Sequence, residues 1–133
     1  MTVVFADTFY YLALLNKADA DHLRARQFTE MFVGRMYTTD WVLTELADAL
    51  SPARTRMVVA RFVQDHRVNR NVTIIPADRA MLDRGLRLYS QRPDKDWSLT
   101  DCVSFVAMQD ARVTDALTGD HHFEQAGFRA LRS

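Results

Sequence analysis

The sequence predicts a parallel α/β sheet with helices packed on both faces. Three observations lead there. Short apolar runs of three or four residues recur without polar alternation, the pattern of strands buried on both sides. Capped helical segments separate these runs, so strands and helices alternate along the chain. With four Gly and three Pro in 133 residues, no linker, repeat or low-complexity tract breaks the alternation, and one domain over 1–133 is expected.

The elements follow in order. Residues 3–6 (Val-Val-Phe-Ala) read as the first strand, and Asp7-Thr8 behind it are both good helix N-caps. Residues 9–15 read as a helix, and Asp19 or Asp21 opens a second one reaching about Val33. Residues 36–38 form a short strand. Asp40 caps a helix over 41–50, Ser51-Pro52 breaks it, and 53–67 is a further amphipathic helix. Residues 72–75, before Pro76, are a strand. Asp78 caps a helix ending near Ser90, residues 92–95 are a loop, and Ser98 opens a helix to about Ala111. Residues 115–118 and 128–131 supply the last two strands.

Composition narrows the class. The chain is 48% hydrophobic and 26% charged with zero formal net charge, so bulk charge gives no push toward nucleic acid or membranes. Of the 17 acids only Glu30, Glu45 and Glu124 are Glu, and of the 17 bases only Lys17 and Lys95 are Lys. Short carboxylates and planar guanidiniums suit metal and phosphate chemistry, although an Arg-rich coding bias produces the same composition. The single cysteine, Cys102, excludes an internal disulfide and a Cys-rich zinc site, and points to a reducing compartment. No apolar run approaches the ~18 residues of a membrane span, and Asp7 interrupts any signal-peptide pattern at once. A cytoplasmic protein with no membrane partner is expected.

In open α/β sheets the working site lies beyond the carboxyl ends of the strands. Four acids fall at or near that edge. Asp7 ends the first strand and is either a helix cap or a functional carboxylate. Glu45 lies at the border of the apolar arc formed by Trp41, Val42, Leu46, Ala49 and Leu50, where it either snorkels to water or points into a crevice. Asp101 sits in a helix that is apolar nearly all round, hence buried, where an ionised carboxylate needs a cation or strong donors. Ser98-Leu99-Thr100-Asp101 also fits a capping box, and both roles are open to it. Asp120 follows the 115–118 strand through Gly119, as a site acid, a turn residue or a cap for a short helix through Phe123. Asp96 precedes Ser98 in a loop, and Asp115 begins its strand at the opposite edge. His121 and His122 lack a third His or Cys at zinc-like spacing and read as surface or packing residues. There is no Gly-rich phosphate loop, and Ser98 and Ser104 have no evident His–acid relay.

The stretches FADTFYYLALLN, TTDWVLTELADAL, DKDWSLTDCVSFVAM and ALTGDHHFEQAGFRAL each carry one of these acids, in this order on a short α/β chain. In this the sequence resembles the PIN domain, the small nuclease fold of many bacterial toxins of the VapC type, over essentially its whole length. The family's acids match Asp7, Glu45, Asp101 and Asp120. The resemblance implies an α/β/α fold with about five parallel strands in the order 3-2-1-4-5, which brings the four acids to one edge. One departure is Phe9, where many members carry Ser or Asn two places after the first acid.

The chemistry implied is metal-dependent RNA hydrolysis. Crowded carboxylates repel unless divalent cations neutralise them, and oxygen-only ligands select Mg²⁺ or Mn²⁺. Asp7 and Asp101 are the expected central ligands, with Glu45 and Asp120 binding a second ion or orienting the attacking water. Arg54, Arg56 and Arg61 are candidate phosphate contacts, or simply a solvated helix face. The resemblance also implies an RNA substrate, a homodimer and, in a toxin–antitoxin pair, a small antitoxin partner. The alternative is a non-catalytic RNA-binding or regulatory PIN domain. A receiver-type phospho-acceptor is excluded, because it needs paired acids after the first strand and a late Lys, and no Lys follows Lys95.

Overall fold

Strand β1 (Thr2–Ala6) ends in Val4, Phe5 and Ala6, all fully buried, and a strand apolar on both faces is stable only between two others. In the computed structural model, which describes residues 2–131, it lies at the centre of a five-stranded sheet ordered β3-β2-β1-β4-β5. The other strands are β2 (Gly34–Thr39), β3 (Val72–Ile75), β4 (Asp115–Leu117) and β5 (Arg129–Leu131). All pairings are parallel, with Phe5 opposite Tyr37 on one side and Ala116 on the other. The order and the three-layer α/β/α arrangement are those expected.

Helices α1 (Thr8–Leu15) and α2 (His22–Met31) connect β1 to β2. Helices α3 (Asp40–Ala49) and α4 (Ala53–Arg67) connect β2 to β3. Helices α5 (Arg79–Gln91) and α6 (Leu99–Ala111) connect β3 to β4, and the single turn α7 (His122–Gln125) leads to β5. No helix among the described residues is long and apolar enough to cross a membrane.

The caps show which local signals held. Asp78 accepts from Met81 N at 2.8 Å, and Ser98 and Asp101 form a complete capping box at the start of α6. Asp40 does not cap α3. Thr39 does, its hydroxyl accepting from Val42 N at 3.1 Å, because β2 runs on to Thr39 and the helix begins at once. Asp40 instead accepts from Ala77 N at 2.8 Å and ties down the loop behind β3. Helix α2 stops at Met31, short of Val33, and β4 stops at Leu117, releasing Thr118 to the turn that follows.

The core fixes the parts that matter for the site. Residues 101 to 108 of α6 are all buried, as its all-round apolar pattern requires. Phe123 of α7 lies between Phe5 and Phe105, with ring centroids 6.3 and 5.0 Å away. Trp97 packs edge-on against Phe105 at 5.0 Å and donates from its indole to Gln125 Oε1 at 3.0 Å. This aromatic column joins β1, α6, α7 and the loop before α6.

Helix α5 lies so close to α6 that a Cβ on Gly85 would meet Val103 Cγ2 at 2.5 Å and Val103 backbone atoms at 3.4 Å. Val is stiff in a helix, so the ring of contacts cannot simply rotate away. Gly85→Ala is therefore expected to lower stability by about 1 kcal/mol, overpacking outweighing the gain in helix propensity. Urea unfolding checks this; an unchanged or higher midpoint would mean that the two helices can separate freely.

Candidate functional site

Parallel strands end at one edge, and the chain leaves β1 toward β2 on one side while β4 approaches on the other. A cleft opens at such a reversal point. Here it is lined by Asp7, Thr8, Phe9, Leu12, Glu45, Asp96, Ser98, Asp101, Asp120 and His122. All four acids expected at the site are among these residues, and so is Asp96. Asp115 is not; it stands at the other end of β4, paired with Arg129 through two bonds of 2.9 and 2.7 Å.

Asp7 occupies the N-cap position of α1 but makes no side-chain cap bond, so the capping role does not apply to it. Its carboxylate is buried and accepts a hydrogen bond from the Thr118 hydroxyl at 2.9 Å. Burial pushes its pKa from 3.8 to about 7; the Thr118 bond opposes that rise, and repulsion from Asp101 and Glu45 adds to it. Thr8 does not cap either: its hydroxyl is buried at the cleft wall without a hydrogen-bond partner.

Asp101 plays both roles open to it. Its Oδ2 accepts from Ser98 N at 3.1 Å, and the residue faces the cleft at the positive end of the α6 dipole. Glu45 is exposed at the cleft rim, while Val42, Leu43 and Leu46 carry the burial of α3. Leu43 is buried and Ala49 exposed, so the apolar arc of α3 is rotated toward Leu43 from the expected one through Trp41, Val42, Leu46, Ala49 and Leu50. Asp120 is a turn residue and a cleft residue together: its N donates to Thr118 Oγ1 at 3.0 Å, and its Oδ1 accepts from His122 N at 2.9 Å.

Two residues at the site were not anticipated. Thr118 bonds both Asp7 and Asp120, joining two of the acids through one hydroxyl. His122 is not a surface histidine. Its side chain is only 18% exposed, and its Nδ1 lies 2.9 Å from Asp101 Oδ2 and 3.0 Å from Asp120 Oδ2. His121 is the exposed one of the pair, at 71%. The ligand atoms of Asp120, His121 and His122 lie within 4.8 Å of one another. Arg54, Arg56 and Arg61 are exposed on α4, and none of them lines the acid cleft.

The donor set fits a hard divalent cation. Among the described residues no Lys or Arg forms an ion pair with Asp7, Glu45, Asp101 or Asp120; His122 is the only basic group in contact with any of them besides the exposed His121. A buried carboxylate held near neutrality, two acidic neighbours and an unpartnered hydroxyl are what a small doubly charged ion with attached water would satisfy. Gly119 keeps the mouth of the site tight: a Cβ there would come within 2.2 Å of the Phe9 ring.

No protein-family model matches the sequence, and no curated protein does. Solved structures do match in fold. VapC20 of Mycobacterium tuberculosis, described as a sarcin-ricin loop cleaving toxin, superposes with a TM-score of 0.88 at 22% identity, covering 98% of this chain and 99% of that one. FitAcB from Neisseria gonorrhoeae gives 0.71 at 14% identity over 97% and 96%. VapBC2 from Rickettsia felis, bound to a DNA fragment from its promoter, gives 0.67 at 10% over 98% of both chains. The chain thus has the PIN-like α/β/α fold of these proteins.

The buried Asp7 makes metal-free stability depend on pH. Below about pH 4 the carboxyl is protonated in both folded and unfolded chains, and its burial costs little. Between about 4 and 7 the unfolded chain loses the proton while the folded one keeps it, so stability falls as pH rises. Above 7 the full penalty stands, a few kcal/mol at ~1.4 kcal/mol per pKa unit. Asp7→Asn should remove most of this slope and raise stability at neutral pH. Thermal melts in chelator across that range test both; an equal slope in the variant would place the titration elsewhere.

Proposed function

We propose that the protein is a metal-dependent endoribonuclease of the PIN domain family, working as one nuclease domain in the cytoplasm. The observation carrying this reading is the convergence of Asp7, Glu45, Asp101 and Asp120 on one cleft without a Lys or Arg partner among the described residues. The fold it shares with a toxin described as cleaving the sarcin-ricin loop supports RNA as substrate. In this reading Asp7 and Asp101 hold Mg²⁺ or Mn²⁺, and Glu45 and Asp120 complete the oxygen set or orient the attacking water. The ion supplies Lewis acidity, balancing the charge that gathers on the phosphate.

The chain's own groups do the rest. The Thr118 hydroxyl holds Asp7 in one orientation, and the capping box holds Asp101. The free Thr8 hydroxyl is placed to bind a water or a phosphate oxygen. Water attacks phosphorus in line and gives up one proton, which the cleft carboxylates would accept, while the bond to the 3′ oxygen breaks and the leaving oxygen takes up one proton in turn. Arg54, Arg56 and Arg61, away from the cleft, are assigned to phosphates further along the strand. The reading includes the homodimer and the small antitoxin partner that the family resemblance implies, the antitoxin supported by the likeness to FitAcB and VapBC2.

The test is cleavage of mixed RNAs with Mg²⁺, Mn²⁺ or chelator. Chelation should abolish cleavage and Mn²⁺ restore it, and metal should raise the melting temperature because it binds only the folded site. Asp101→Asn should lose cleavage by orders of magnitude while its metal-free form stays folded, at a cost of no more than about 2 kcal/mol from the weakened cap. Full activity in excess chelator would overturn the reading, and Mn²⁺-dependent RNA binding without cleavage would favour the non-catalytic PIN alternative.

A further inference from the structure

His122 lies where two of the proposed ligand carboxylates come from different parts of the chain. Asp101 is on the first turn of α6, and Asp120 is in the turn after β4. The imidazole Nδ1 stands 2.9 Å from Asp101 Oδ2 and 3.0 Å from Asp120 Oδ2, and the backbone N of the same residue donates to Asp120 Oδ1 at 2.9 Å. The three side chains are 18%, 10% and 27% exposed. Ionised carboxylate oxygens only accept, so the nitrogen facing two of them carries the proton. One N–H is then shared between two acids that would otherwise repel each other.

The consequence for Asp101 is specific. Its Oδ2 is taken twice, by Ser98 N and by His122 Nδ1, which leaves Oδ1 as the oxygen without a hydrogen bond among the described residues. Phe123, wedged between Phe5 and Phe105, anchors α7 so that the imidazole cannot drift from this position. Ligating carboxylates held by a hydrogen-bonded partner bind metal more tightly than free ones, because their orientation is set in advance.

The geometry points to His122 as a positioning residue: a clip whose Nδ1–H fixes Asp101 and Asp120 relative to each other for cation binding. It rests on the metal-site reading above. His122 acts through the carboxylates and does not itself bind the ion.

The experiment compares Mn²⁺ affinity by calorimetry in wild type, His122→Ala, His122→Gln and His122→Asn, with melting curves of each metal-free protein as the folding control. The amide nitrogen of Asn falls where Nδ1 stands, whereas that of Gln reaches further out. Ala and Gln should weaken Mn²⁺ binding by roughly 10- to 100-fold, and Asn should restore it to within about threefold of wild type. Wild-type affinity in Ala, or an Asn variant as weak as Ala, would overturn the clip. Long-range ¹H–¹⁵N spectra of the metal-free wild type read the ring directly: a proton on Nδ1 is expected, and a bare Nδ1 with the proton on Nε2 alone would overturn it. If wild type binds no Mn²⁺ at all, the metal-site reading fails, and with it the proposed purpose of the clip. The spectrum distinguishes that failure from the absence of the Nδ1–H contact itself.

Discussion

The carboxylate of Asp7 is held at the end of a strand whose last three residues have no exposed side, and most of the site follows from that constraint. Val4, Phe5 and Ala6 must be covered on both faces and both edges, so β2 and β4 pair with β1 and their ends arrive beside Asp7. The same burial strips water from the carboxylate and pushes its pKa up to about 7. A group so placed is unstable as a bare anion. It calls for a donor, which Thr118 provides in part, and for positive charge, which no Lys or Arg among the described residues provides. The requirement that makes the sheet stable is therefore the one that leaves this carboxylate short of a counter-charge.

What could be read from sequence was whatever the chemistry of neighbouring residues decides. The capping box of Ser98 and Asp101 lies within four residues, and the run that places Asp7 at a strand end is contiguous. The four acids meet because the strand order brings them together, and that order came from the family resemblance, not from periodicity. Thr118 and His122 were missed because their importance lies in partners 111 and 21 residues away. The one local hint was that Thr118 closely precedes Asp120, a spacing that supports a side-chain turn. For Thr39 and Asp40 the error was one of boundary: both can cap, and the length of β2 decided between them. The arc of α3 was rotated because Leu43 is buried by tertiary neighbours that a helical wheel cannot know.

The acids differ in how firmly they are held. Asp7 and Asp101 are buried and each is tied to at least one donor, whereas Glu45 stands exposed on a helix flank with many rotamers open to it. Asp120 is intermediate, gripped by backbone and imidazole of His122. This gradient suits a site with a rigid interior and an adaptable rim: the inner pair defines position, and the outer acids adjust to what enters the cleft. Phe9 belongs to the rim as well, its ring against Gly119, and gives the cleft an apolar lip.

The Asp7–Thr118 hydrogen bond also orders events in time. A ribosome makes Asp7 more than a hundred residues before it makes the partner hydroxyl and the adjoining strand β4. Until then β1 has one open edge, and the carboxylate has neither its donor nor Asp120 beside it. Contacts of such long sequence separation form late and together. In a nascent chain that carries Asp7, Glu45 and even Asp101 the cleft is thus still incomplete, and it comes into being as a unit when β4 docks.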